Sequence, residues 1–227
     1  MEIVQTPEFW IGLLKIVWIN IILSGDNAVV IALAARSLPA HQQPKAVFWG
    51  SGAAVVLRIL LTLIAAKLLA LPYLQILGGL LLVWIGVQLL ADDDEGQGDS
   101  GHQGNMFAAV RTILIADVVM SLDNVIAVAA AAKGSMTLLI IGLAISIPLV
   151  IFGSTLLIKL MERFPIIVVA GAGLIGWVGG EAIASDTALK DSLAANSWIH
   201  YAAAAAGAVL VVGIGKLLQM RHRIKTV

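Results

Sequence analysis

Long apolar runs limit what this chain can fold into more than any other feature of its sequence. Seven stretches reach the length of about 20 apolar residues that an α-helix needs to cross a bilayer. Such segments cross as helices because a helix satisfies its own backbone hydrogen bonds in hydrocarbon. The composition agrees, since 60% of the 227 residues are hydrophobic and 12% are charged, and the mean hydropathy is +0.99. The sequence predicts an all-α, polytopic protein of the lipid bilayer with seven transmembrane helices, at residues 10–35, 46–70, 72–91, 106–132, 136–161, 165–185 and 198–218.

The distribution of basic residues predicts the orientation of these helices. With the N-terminus outside, most Lys and Arg residues fall on the inner side, as the positive-inside rule requires. An odd number of spans then puts the C-terminus inside. The inner set is Arg36, Lys45, Arg111, Lys159, Arg163, Lys216, Arg221, Arg223 and Lys225, and the outer set is Lys15, Lys67, Lys133 and Lys190.

Several classes of function are excluded by what the sequence lacks. Without cysteine, the chain has no disulfide, thiolate metal site or cysteine nucleophile. A formal net charge of zero and the lack of a basic tract argue against a nucleic-acid partner. The sequence contains no nucleotide-binding motif, His-Glu-x-x-His pair or serine elbow. We therefore expect neither enzyme activity nor a catalytic cofactor.

The chain contains an internal repeat. Matches across three successive helices, including rare polar and Trp positions, indicate a duplication. Because each repeat has three spans, the second enters the membrane from the opposite side, and the two repeats are inverted. At an offset of 97 the pairs are Asn20 with Asp117, Ser24 with Ser121, Asp26 with Asp123 and Asn27 with Asn124. At an offset of 92 or 93 they are Lys67 with Lys159, Pro72 with Pro165, Gly78 with Gly171, Trp84 with Trp177 and Gln88 with Glu181.

This repeat predicts the organisation of the whole chain. The first three-helix repeat occupies residues 1–91, and an acidic polar linker follows at 92–105. The second repeat occupies residues 106–185, and a terminal helix with a basic tail occupies 186–227. The first helices of the two repeats are then expected to meet near the bilayer midplane.

Each of those first helices contains a polar cluster, at residues 24–27 and 121–124. A carboxylate at mid-membrane depth costs about 2.5–3.5 kcal/mol even on insertion scales. Three such groups, Asp26, Asp117 and Asp123, indicate a site for a polar or ionic cargo. The Ser and Asn side chains also fit simple hydrogen bonding between helices. Gly25 favours a break in the first helix, whereas Leu122 makes one less expected in the fourth.

Oxygen donors without nearby His or Cys form a hard site suited to Mn²⁺, Ca²⁺ or Mg²⁺. Arg58, halfway along the second span, is best interpreted as a structural partner of a carboxylate or of broken-helix carbonyls. Three aspartates and one arginine leave two negative charges, which a divalent cation or two protons would neutralise. Glu181 is best interpreted as an interfacial acid, with a gate or a proton acceptor as alternatives. The secondary candidates for the site are Asn20, Ser24, Ser121, Arg58 and Glu181.

These motifs together resemble the TerC family of integral membrane proteins. The resemblance rests on Gly25-Asp26-Asn27, on Ser121-Leu122-Asp123-Asn124 preceded by Asp117, and on the seven-span layout. It covers nearly the whole chain and favours the YjbE-type branch, related to the LysE-type transporter superfamily. It implies metal-ion efflux with Mn²⁺ as the favoured cargo, and a bacterial inner (plasma) membrane location. It also implies a metal-ligand set of Asp26, Asn27, Asp117, Asp123 and Asn124.

The expected function is therefore export of a divalent metal ion by alternating access, as an antiporter coupled to protons. A Ca²⁺/proton exchanger, a cation channel and a metal-delivery partner of exported enzymes would use the same ligands and stay open. A paired-aspartate protease is the alternative from another class. The expected partners are the lipid bilayer, the divalent cation and protons, and a homo-oligomer is compatible with the chain.

Overall fold

A computed structural model describes residues 7–69, 71–91, 105–132, 135–189 and 198–225. Within these ranges the chain forms helices joined by short turns, and no strand. Nearly all of the predicted acidic linker, residues 92–104, lies outside the described ranges. The helices are α1 (Pro7–Leu23), α2 (Gly25–Arg36), α3 (Gln43–Leu69), α4 (Leu74–Ala91), α5 (Met106–Ala132), α6 (Met136–Arg163), α7 (Ile166–Ala184) and α8 (Trp198–Lys225).

Helix length and surface composition identify a multi-pass integral membrane protein. Large apolar side chains cover the outside of the helices, and Leu14, Phe152 and Val209 are 68%, 70% and 71% exposed. A surface of this kind is expected to face lipid rather than water. Five segments are long and apolar enough to cross a membrane: Gln43–Ile64, Leu74–Ala91, Met136–Arg163, Ile166–Ala184 and Trp198–Arg221. The other two predicted spans correspond to α5 and to α1 followed by α2, which contain the polar clusters.

The first predicted span is interrupted where its polar cluster begins. Helix α1 ends at Leu23 and α2 begins at Gly25, with Ser24 between them at φ −108° and ψ 2°. In a continuous helix the Asn27 N–H would donate to the Leu23 carbonyl. It donates instead to Asp26 Oδ1, at 2.8 Å. The break that Gly25 favours is confirmed, whereas α5 runs unbroken through Leu122.

Helices from the two sides of the linker pack against each other. Gly50 on α3 lies against Ile113 on α5, since a Cβ atom on Gly50 would lie 2.8 Å from Ile113 Cδ1. Farther along both helices, Arg58 forms an ion pair with Asp117. Residue numbers rise together along the contact, so α3 and α5 run parallel.

The same relation holds for α6 and the first two helices. Gly12 on α1 lies against Leu138 near the start of α6, and Ala28 on α2 lies 3.8 Å from the Cβ position of Gly153. Helix α6 therefore runs parallel to α1 and α2. In each case the second long helix of one half packs beside the first helix of the other half.

The third helices of the two halves, α4 and α7, cross directly. A Cβ atom on Gly79 would lie 2.3 Å from the Gly179 carbonyl oxygen, and one on Gly86 would lie 3.4 Å from Ile175 Cγ2. Along this contact the residue numbers of α4 increase while those of α7 decrease, so the two helices are antiparallel. The backbones approach so closely because neither glycine presents a side chain at the crossing.

Helix α8 packs against α7 through a second glycine contact. A Cβ atom on Gly207 would lie 2.1 Å from the Gly176 carbonyl oxygen, and one on Gly180 would lie 2.1 Å from the Ala203 carbonyl oxygen. Gln219 of α8 also donates to the Leu90 carbonyl at 2.7 Å. The terminal helix is therefore joined to both α7 and α4.

A single carboxylate joins the turn after α7 to the start of α4. Asp186 Oδ1 accepts from the backbone N–H groups of Tyr73 at 2.9 Å and Ala188 at 2.8 Å. Asp186 Oδ2 accepts from Gln75 at 3.0 Å and Ile76 at 3.2 Å. Burial raises the pKa of this carboxyl group, but the four N–H donors outweigh burial and hold the pKa below its ordinary value. Asp186 thus caps α4 from a part of the chain more than a hundred residues away.

Candidate cation site at the helix break

An ion pair between two long helices lies at the centre of the polar cluster. The Arg58 side chain from α3 donates to Asp117 Oδ1 from α5, and both side chains are 5% exposed. Ser121, one turn farther along α5, donates from Oγ to Asp117 Oδ2 at 3.2 Å. Arg58 Nη1 also reaches Ser24 Oγ, at 3.5 Å, between α1 and α2. Arg58 therefore pairs with a carboxylate, which is one of the two kinds of partner expected for it from the sequence.

The carbonyl oxygen released by the helix break is a second centre of the cluster. Leu23 O accepts from Asn27 Nδ2 at 3.4 Å and from Asn124 Nδ2 at 3.2 Å. These two asparagines are 97 positions apart, which is the offset of the predicted repeat. One backbone atom therefore brings together the two polar motifs that the sequence places 97 positions apart.

Asn27 and Asp117 line the same narrow cleft between α2 and α5, which has no room for a water molecule in this structure. Its remaining walls are apolar and consist of Val30, Ile31 and Ile113. Asn27 is 3% exposed, and its Oδ1 atom accepts no hydrogen bond from the described residues. A buried amide oxygen of this kind is costly unless it acquires a donor or a cation. The cleft thus presents an amide oxygen from one half beside a carboxylate from the other.

Asp26 adds a further carboxyl group at the margin of this cleft. Its side chain is half-buried at the start of α2, and it interacts electrostatically with Arg58 and Asp117. The described cluster therefore combines two carboxyl groups, one guanidinium group and several amide and hydroxyl oxygens. Donors of this kind suit a hard cation better than a soft one.

Comparison with known proteins identifies the family of this chain. The sequence profile described as "Integral membrane protein TerC family" matches residues 5–223. The chain belongs to the TerC family. The membrane protein YjbE of Bacillus subtilis (strain 168) is 45% identical over 186 residues, which are 81% of this chain and 84% of YjbE. The resemblance to the YjbE-type branch is thereby confirmed.

More distant relatives share the same region. YkoY of Bacillus subtilis (strain 168) is 24% identical over 198 residues, covering 79% of this chain and 61% of YkoY. The inner membrane protein YoaE of Escherichia coli (strain K12) is 29% identical over 198 residues, covering 79% of this chain and 38% of YoaE. The TerC-family chain thus spans well under half of YoaE. No solved structure matches this chain.

Most of the predicted site residues of this TerC-family protein lie in one cluster. Glu181 lies apart from them and is exposed on α7, which supplies no side chain to the cluster. The side chains of Asn20 and Asp123 lie outside the described part of the structure. Among the side chains that the structure describes, no three His, Cys, Asp or Glu residues form a group that could hold a metal ion. The residues that meet are Ser24, Asp26, Asn27, Arg58, Asp117, Ser121 and Asn124.

Sequence reasoning missed two features of the TerC-family structure. The Leu23 carbonyl is a main-chain atom, and no side chain signals its role at that position. The role of Asp186 was not predicted, because the α4 N–H groups that it caps lie far away in the sequence. An acidic residue directly after an apolar helix was the only available signal.

Proposed function

We propose that this protein is a secondary transporter that exports a divalent cation, with Mn²⁺ as the favoured cargo and protons as the counter-ion. It would work by alternating access between two inverted halves, in a bacterial inner membrane, with its N-terminus outside and its C-terminus inside. The observation that carries this proposal is the cleft shared by Asn27 of α2 and Asp117 of α5. Polar groups from both halves meet there, at a helix break.

The packing supports two inverted halves. Two repeats of three spans with the same orientation would make the second helix of one antiparallel to the first helix of the other. Instead, α3 runs parallel to α5, and α6 runs parallel to α1 and α2. The antiparallel crossing of α4 and α7 fits the same inversion. Inverted repeats with a broken helix at their interface are typical of secondary transporters.

The chemistry of the cluster supports a hard cation as cargo. Its donors are carboxyl, amide, hydroxyl and carbonyl oxygens, which Mn²⁺, Ca²⁺ and Mg²⁺ accept as ligands. Asp123, whose equivalent in the first half is Asp26, would add a third carboxyl group. With Arg58 as the one cation, the set has an excess of negative charge that a divalent ion could balance. The preference for Mn²⁺ over Ca²⁺ rests on the family resemblance.

Metal flux into proteoliposomes tests this proposal. We would load purified protein into vesicles with a metal-sensitive dye and a pH dye, and compare wild type with Asp26→Asn. We expect saturable Mn²⁺ flux with opposite proton movement, reduced about tenfold or more in the variant. Glu162→Gln, an exposed carboxylate at the end of α6, is the matched control and should transport normally.

Each other outcome excludes a part of the proposal. Equal flux in wild type and Asp26→Asn would contradict the site. Flux at near-diffusive rates without saturation would indicate a channel. Binding of Mn²⁺ without movement would indicate a metal-delivery protein, and flux without a pH change would remove protons from the mechanism.

A further inference from the structure

We infer that Arg58 is a tethered counter-cation, which neutralises Asp117 when the site is empty and is displaced from it by the transported cation. This inference rests on the proposed function and adds a mechanism to the same site. It gives Arg58 a role in the transport cycle, beyond the structural pairing that the sequence favoured.

The Asp117 carboxylate belongs both to the cleft and to the ion pair. Asp117 lines the cleft beside Asn27, and the same carboxylate binds the Arg58 guanidinium group. A divalent cation that enters the cleft would therefore seek oxygens that a guanidinium group already occupies. Two cations at one buried carboxylate repel each other strongly, because the surroundings screen charge poorly. Entry of the cargo and retention of the ion pair are thus in competition.

Arg58 has a second hydrogen-bond partner in its own half of the chain. Its Nη1 atom already reaches Ser24 Oγ at 3.5 Å, between α1 and α2. Because this hydroxyl group is uncharged, Arg58 would not have to share a carboxylate with the cargo there. A displaced guanidinium group would therefore keep a polar partner and would not become an isolated charge in hydrocarbon.

The ion pair between Arg58 and Asp117 connects the two halves of the chain. Arg58 belongs to α3 of the first half, whereas Asp117 and its partner Ser121 belong to α5 of the second. Exchange of Arg58 for a cargo ion would remove this connection at the moment of binding. Cargo binding would thus be coupled to relative movement of the halves. When the cargo leaves, the guanidinium group returns and spares Asp117 from remaining an unpaired buried anion.

Mn²⁺ affinity of Arg58 variants tests this inference. Titration calorimetry on protein in lipid nanodiscs would compare wild type with Arg58→Gln. If the guanidinium group competes with the ion, removing it should tighten Mn²⁺ binding roughly ten- to a hundredfold, as expected for one lost charge-assisted hydrogen bond. A purely structural role predicts the opposite sign, weaker binding. Arg111→Gln makes the same charge change at an exposed position of α5 and should leave affinity unchanged.

Two further variants keep the test decisive if Arg58→Gln folds poorly. Arg58→Lys retains a cation but loses the planar fork that fits a carboxylate, so it should bind Mn²⁺ about threefold tighter or more. In an Asp117→Asn background, Arg58→Gln should give no tightening, since the shared carboxylate is gone. In flux assays, Arg58→Gln should lower both KM and kcat. The guanidinium group would no longer compete with the bound ion for Asp117, so the ion would be released more slowly.

The overturning results are separate for the two proposals. Unchanged or weaker Mn²⁺ binding in both Arg58→Gln and Arg58→Lys would overturn the counter-cation role and leave the transporter proposal standing. Tightening that persists in the Asp117→Asn background would also overturn it. If the wild-type protein bound no Mn²⁺, the proposed function itself would fail, and this inference with it.

Discussion

Removal of the Asp186 carboxylate should destabilise the protein by about 3 kcal/mol. Four backbone N–H groups donate to this side chain, at 2.8, 2.9, 3.0 and 3.2 Å. In Asp186→Ala, water can replace the carboxylate at the exposed residues Tyr73 and Ala188. It cannot do so fully at Gln75, which is buried, or at Ile76, which is half-buried. At about 1.5 kcal/mol for each of these two charge-assisted bonds, the loss is about 3 kcal/mol.

Thermal unfolding of the purified protein in detergent measures this effect. For a chain of this length, 1 kcal/mol corresponds to about 2–4 °C, so Asp186→Ala should unfold about 6–12 °C below wild type. Asp186→Asn retains one acceptor oxygen and should lie between the two. Glu162→Ala removes an exposed carboxylate and should change stability by less than about 0.5 kcal/mol. If Asp186→Ala and Glu162→Ala unfolded at the same temperature, the capping role of Asp186 would be refuted.

The pH dependence gives a second check on Asp186. Folding lowers the pKa of this carboxyl group, so its contribution is fully present above the ordinary carboxyl pKa of about 3.9. The contribution is lost as the pH falls from that value through the lower pKa of the folded state. The difference between wild type and Asp186→Ala should therefore be constant near neutral pH and shrink below about pH 4. A difference that grew on acidification would contradict the lowered pKa.

Substitution of three glycines by alanine tests the helix packing and the helix break. Gly207→Ala places a Cβ atom 2.1 Å from the Gly176 carbonyl oxygen and should destabilise the protein by about 1–3 kcal/mol. Gly213→Ala on the same helix meets nothing within 4 Å and should stabilise the protein by about 0.5–1 kcal/mol. If the Gly207→Ala variant unfolded at a higher temperature than the Gly213→Ala variant, the close α7–α8 contact would be contradicted. Gly25→Ala also meets nothing within 4 Å, so it should keep both its unfolding temperature and its Mn²⁺ flux. Loss of flux in that variant would mean that transport needs the flexibility of Gly25 itself.

The helices could be predicted because hydropathy is a local property of the sequence. The predicted span at residues 106–132 coincides with α5, and the predicted end at 91 coincides with the end of α4. The polar cluster could be predicted because carboxylates are rare in apolar helices and because the two motifs match at the offset of the predicted repeat. Pairing of Arg58 with a carboxylate followed from the cost of a buried cation. Its choice of Asp117 did not, because that choice depends on which helices become neighbours.

The cause of the helix break was harder to predict than its position. The sequence pointed to Gly25, yet Gly25 lies in open space, and the exchange of hydrogen bonds involves Asp26 and Asn27. A side chain that accepts a hydrogen bond from the N–H of the next residue produces no periodic pattern in the sequence. The cap formed by Asp186 on α4 was unpredictable for a related reason, since its α4 partners lie more than a hundred residues away in the sequence.

The parallel packing of α3 and α5 has a consequence for how the protein is made. Arg58 leaves the ribosome 59 residues before Asp117, its partner in the finished protein. At a synthesis rate of about 5–20 residues per second, Asp117 is made about 3–12 seconds after Arg58. Helix α3 can therefore enter the bilayer before the carboxylate of this ion pair has been synthesised. The first half is completed only by the second, and the two would not be expected to assemble stably as independent modules.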